Sequence, residues 1–191
     1  MLDLEAMLTQ VRRRLKAPTV IAATLLAACG GGHSDPNAAA ALAPAAGDSL
    51  PPAVARAVGR ARTATARFEN LDSAVAAGYQ RHAEGCLANE PLGTMGFHHA
   101  NGALYDDRLD VERPEILVYE RLPDGRYRLN GVEYIVPYSA RPRDATPPRI
   151  MGRPLKRADR LQIWYLHVWI WRENPSGMFA DWNPTVHCPR S

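Results

Sequence analysis

The sequence predicts an α+β domain, an N-terminal amphipathic helix packed on a small, mainly antiparallel sheet. Three observations carry that expectation. Residues 53–79 repeat apolar side chains at spacings of three and four, residues 114–137 read as a hairpin, and residues 161–171 form a β-branched and aromatic run without Gly or Pro.

In the first segment Val54, Val58, Ala61, Thr65, Phe68, Leu71, Val75 and Tyr79 fall on one helical face, with Arg56, Arg60, Arg67 and Asn70 off it. Pro51-Pro52 stand at its start, where a missing N–H is tolerated, and Gly78 stands near its end. Gly59 costs about 1 kcal/mol relative to Ala, so the helix depends on packing against the sheet. Asp72 offers a cap for a second short helix if the chain breaks near Asn70. The arginine-bearing face reads as solvated surface.

Residues 82–110 are rich in Gly, Asn and Asp, which predicts short extended pieces joined by turns. His98 and His99 are adjacent, so an extended backbone sends them to opposite sides and at most one faces a given cavity. In the hairpin, Glu115 to Arg121 is read as a strand centred on Leu117 and Tyr119, Pro123-Asp124-Gly125 supplies the turn, and the return strand runs over 126–136. Asn130-Gly131 interrupts that strand and predicts a bulge or a second turn. Beyond it Glu133 and Ile135 share one face, opposite Val132, Tyr134 and Val136. Glu133 is either a solvent-facing carboxylate or a buried ligand.

Residues 137–160 contain Pro137, Pro142, Pro147, Pro148 and Pro154 with an excess of basic side chains, which predicts a long loop. Loops of that length serve as lids or meet solvent or anionic lipid. The run 161–171 is apolar on both faces and reads as a strand covered on both sides, with His167 in its middle. After the turn Asn174-Pro175-Ser176-Gly177, an aromatic loop leads to His187-Cys188.

The domain occupies 53–191. Residues 1–28 read as a lipoprotein signal peptide, because Arg12, Arg13, Arg14 and Lys16 precede a short apolar run that ends in small residues before Cys29. That arrangement resembles a lipobox, in which Cys29 is acylated and becomes the mature N-terminus. Residues 29–52 are Gly-, Ala- and Pro-rich and form a flexible tether that cannot bury a core. The expected location is the bacterial cell envelope, lipid-anchored, with the domain facing the periplasm or outside. The formal charge is +3, and residues 1–28 contribute four basic against two acidic side chains, so the exported part is nearly neutral. That balance gives no electrostatic case for nucleic acid.

With Cys29 lipidated, Cys86 and Cys188 remain. An oxidising compartment favours a disulfide between them. The competing reading is a metal site made of His82, Cys86, His187 and Cys188.

The segments Ala76 to Tyr79, Gly96-Phe97-His98, Gly131-Val132-Glu133-Tyr134, Leu166-His167-Val168-Trp169 and Asn174 through Pro184, with a terminal Cys, resemble an uncharacterised bacterial family of secreted proteins and lipoproteins. The resemblance implies export and no particular reaction. His99 departs from it, standing where that family has an aromatic residue.

His98, Glu133 and His167 come from three segments that can neighbour one another in one sheet. Two imidazoles and a carboxylate suit a divalent transition metal, zinc, copper or iron. The other readings of His167 are a core histidine bonded to a carbonyl or to Glu133, and an acid–base group working without metal. The functional expectation is an envelope-anchored domain binding a metal ion or small ligand in an aromatic pocket around His167. The alternatives are a metal-dependent enzyme using the same residues and a structural lipoprotein without a ligand. No activated nucleophile or base–orienter motif is visible, which favours binding.

Overall fold

The computed structural model describes residues 50–189. The signal peptide, Cys29 and nearly all of the tether lie outside the described residues. The architecture is α+β, with two short helices, α1 (Pro52–Thr65) and α2 (Leu71–Ala76), and a six-stranded antiparallel sheet. Its strands are β1 (Gln80–Asn89), β2 (Gly93–Ala100), β3 (Ile116–Arg121), β4 (Tyr127–Pro137), β7 (Lys156–Ala158) and β8 (Ile163–Val168). Their order is β1-β2-β3-β4-β8-β7, and β5 (Arg149–Ile150) pairs with β6 (Arg153–Pro154) in a separate two-stranded unit.

The helical pattern over 53–79 breaks near Asn70, as the sequence allowed. After α1 a 3-10 turn covers Ala66–Glu69, and the chain becomes extended at Asn70, whose side chain accepts from the Ser73 amide and caps α2. Asn70, rather than Asp72, is therefore the cap. The interruption shifts the buried face by one residue, so Ala74 is fully buried while Val75 is exposed. At the end of α2, Gly78 adopts φ +96, the Tyr79 amide donates to the Ala74 carbonyl and the Gly78 amide to the Val75 carbonyl. This pairing satisfies the last carbonyls of the helix and needs a left-handed residue at Gly78.

Helix and sheet share one core. Val58, Ala61 and Phe68 pack with Leu117, Tyr119, Val132, Tyr134, Trp164 and Leu166. Polar pins join the layers: Tyr119 Oη donates to the Phe68 carbonyl at 2.7 Å, and Trp171 Nε1 donates to Thr65 Oγ1 at 3.0 Å.

The β3–β4 hairpin forms as expected. Its register slips at Asn130, because Val118 pairs with Gly131 and Tyr119 with Leu129. The same bulge shortens the aromatic strand, which was expected over 161–171 and ends at Val168. Trp171 and Arg172 both donate their amides to the Asn130 carbonyl, and the Trp169 amide turns to the Met178 carbonyl. The segment 137–160 is not one open loop. Ile150, Met151 and Leu155 are buried in the helix-side core, and β7 pairs with β8.

The sulfurs of Cys86 and Cys188 lie at bonding distance, with Cα atoms 5.7 Å apart. Bonded sulfurs are not thiolate ligands, which removes the His82/Cys86/His187/Cys188 metal alternative. Asn183 strengthens the same closure by exchanging backbone hydrogen bonds with Thr94 at the start of β2, both 3.1 Å. No helix among the described residues is long and apolar enough to cross a membrane.

Candidate metal centre

Strand alternation assigns the side chains of this sheet. On β4, Val132, Tyr134 and Val136 face the helices, so Glu133 and Ile135 face the other way. Glu133 pairs with His167 across β4–β8 and with Ile116 across β3–β4. His98 pairs with Val118 two positions along, so all three side chains emerge on the face opposite the helices. The adjacent histidines separate as expected. His99 points to the helix side, its ring 4.9 Å from that of Tyr119.

Two glycines make the convergence compact. At Gly131 a Cβ would stand 2.7 Å from the Val168 carbonyl oxygen, so β4 and β8 approach closely just before the Glu133–His167 pair. Gly96, with φ +106, leaves room for the Tyr119 carbonyl two residues before His98.

His98 Nε2 lies 3.2 Å from His167 Nε2 and 3.6 Å from Glu133 Oε2. One donor atom from each residue falls within 4.8 Å of the other two, and all three side chains are buried. Donors around one ion with bonds of about 2.0–2.2 Å stand roughly 3–4 Å apart. The spacing matches that requirement at its closest contacts. Glu133 is thus a buried group rather than the solvent-facing carboxylate that alternation alone allows.

Burial decides the charge states. It pushes His98 and His167 down to about 3, with the neighbouring His167 adding to the effect at His98 and Lys156 adding to it at His167. Burial likewise raises Glu133 to about 8, reinforced by Asp181 and Glu115 and opposed by Lys156. At neutral pH the metal-free cluster holds neutral imidazoles, the form that coordinates metal. His98 Nε2 and His167 Nε2 face each other at hydrogen-bond distance, so with both rings neutral one of the two donates and the other accepts. His167 Nδ1 is buried with no hydrogen-bond partner among the described residues. A cation held by both Nε2 atoms would drive the His167 proton to that Nδ1.

His98 and Glu133 line the floor of a cleft of about 360 Å³, whereas His167 is buried at 1 % exposure and does not line it. Its walls include Leu87, Ile116, Ile135, Ile163, Tyr165 and Trp182, with His82, Glu84 and Tyr105 also facing it. At its edge Lys156 Nζ donates to Asp181 Oδ1 at 2.6 Å, and Tyr165 Oη donates to Asp181 Oδ2 at 3.2 Å. Burial raises the Tyr105 hydroxyl to about 12, helped by Glu133 and Glu115.

Sequence reasoning missed Lys156, Asp181, Tyr105 and another buried carboxyl group, Glu115. Tyr165 was within reach, because it shares the period-2 face of His167. Lys156 and Asp181 are joined only by tertiary folding and carry no periodic signal. No family model, no curated protein and no solved structure matches the chain.

Proposed function

We propose that this chain is an envelope-anchored lipoprotein whose domain binds a divalent transition metal ion, zinc, copper or iron, through His98, Glu133 and His167. One observation carries the metal reading: three donors from β2, β4 and β8, far apart in sequence, fall within 4.8 Å of one another in buried surroundings. The lipid anchor rests on Cys29 and the residues before it.

Two imidazoles and a carboxylate leave coordination positions for water or a ligand, and the cleft lies beside them. That geometry serves ligand binding, and it also serves the second reading, a metal-dependent enzyme that polarises a bound molecule at the same floor.

The test is elemental analysis of the full chain purified from the envelope without chelators, followed by titration with Zn²⁺, Cu²⁺ and Fe²⁺. About one equivalent is expected, and His167→Gln should lose it while retaining the fold. A folded protein that neither carries nor takes up any of the three ions refutes the metal reading. Separately, Cys29→Ser should release the domain from the membrane fraction; persistence there after a high-salt wash refutes the lipid anchor.

A further inference from the structure

We infer that the cleft over His98, Glu133 and His167 takes a small organic monoanion, a carboxylate or phenolate on an apolar body about the size of one ring. This deepens the metal reading and rests on it.

Charge balance comes first. Two neutral imidazoles and one carboxylate leave a divalent cation with a net charge of +1. The site holding that charge is buried, with His167 at 1 % exposure. A net charge in such surroundings is costly unless an opposite charge reaches it. A monoanionic ligand supplies that charge through the atom that fills an open coordination position.

The cleft describes the remainder of the ligand. Apolar and aromatic side chains, among them Leu87, Ile116, Ile135, Ile163, Tyr165 and Trp182, make up most of its walls, so the body of the ligand is apolar or aromatic. Its volume is about 360 Å³. A cavity of about 150 Å³ accommodates benzene, and ligand pockets begin near 300 Å³, so a single substituted ring is the matching size. The edge does not compete for the anion. Lys156 is already paired with Asp181 at 2.6 Å, and Glu84 is half-exposed beside His82, where water screens it. The strongest attraction for an anion therefore sits at the metal floor.

The test uses the full chain loaded with Co²⁺, whose visible spectrum reports its ligands. Benzoate should change that spectrum and bind at least about tenfold more tightly than benzamide, a difference of about 1.4 kcal/mol. Benzamide has nearly the same shape without the charge. Acetate, which has the charge without the ring, should also bind more weakly than benzoate. Benzoate should lose its advantage over benzamide when the metal is removed. Stoichiometric Co²⁺ with a spectrum indifferent to benzoate overturns this inference and leaves the metal reading standing. Equal binding of benzoate and benzamide does the same. Failure to take up Co²⁺, Zn²⁺, Cu²⁺ or Fe²⁺ removes both.

Discussion

Glu115 gives the sharpest test of the electrostatics of this fold. It is 2 % exposed, and its Oε2 accepts from the Ile135 amide at 2.9 Å. Burial raises its pKa from 4.5 to about 8; the Ile135 hydrogen bond opposes the rise, and Asp106 and Asp110 add to it. Tyr79, Tyr105, Tyr134 and Glu133 also sense its charge. The folded state therefore keeps a proton that the unfolded chain has lost between pH 4.5 and about 8. Stability falls across that window as pH rises and levels off above it. One pKa unit corresponds to about 1.4 kcal/mol, so by pH 7 the cost reaches roughly 3 kcal/mol. Glu115→Gln resembles the protonated acid and retains an acceptor for Ile135. Urea unfolding of the metal-free protein at pH 4, 5.5, 7 and 8.5 isolates Glu115 as the difference between the two proteins. The variant should match the parent at pH 4 and exceed it increasingly through pH 7. A difference that stays constant with pH, or that favours the parent at pH 7, refutes the argument.

Three other expectations concern closure, packing and the site. Reducing the Cys86–Cys188 pair frees ends 102 residues apart, and the loop-entropy model gives a loss of about 4–5 kcal/mol, measurable by denaturant unfolding with and without reductant. Gly131→Ala forces a methyl against the Val168 carbonyl, so a loss of about 1–3 kcal/mol is expected, accompanied by weaker metal binding because Glu133 and His167 no longer register. His99→Gln disturbs packing beside Tyr119 and should lower the melting temperature, yet metal stoichiometry should survive; equal metal loss in His98→Gln and His99→Gln argues against the assignment of His98.

Local chemistry made much of the sheet readable in the sequence. Pro123-Asp124-Gly125 marked the turn between β3 and β4, Asn130-Gly131 marked the bulge, and alternation separated His98 from His99. What local chemistry left open was decided at a distance. Residues 161–171 are apolar on both faces, so period 2 could not say which side His167 meets; the register with Glu133 does. The break near Asn70, by contrast, is local: the Asn70 side chain accepts from the Ser73 amide and caps α2, where Asp72 was the expected cap. Glu115 carries no periodic signal of its own, and it is buried where its carboxyl meets the Ile135 amide.

The two faces of the sheet suggest why His98, Glu133 and His167 are there. The helix-side face contributes to a broad apolar core, including Leu117, Val132, Tyr134, Trp164 and Leu166. The other face has a much smaller buried apolar cluster, Ile116, Val118 and Ile135, and the polar triad lies among the same strands. As a purely structural cluster the triad is poorly made. Glu133 stops 3.6 Å from His98, and His167 Nδ1 has no partner among the described residues. A half-satisfied buried network is less stable than apolar packing of similar volume. Replacing the three residues with well-packed apolar side chains should therefore make the domain more stable and leave it without metal. A bound cation would reverse that balance, because the imidazole lone pairs and the Glu133 carboxyl, which loses its proton on binding, would become bonds to it.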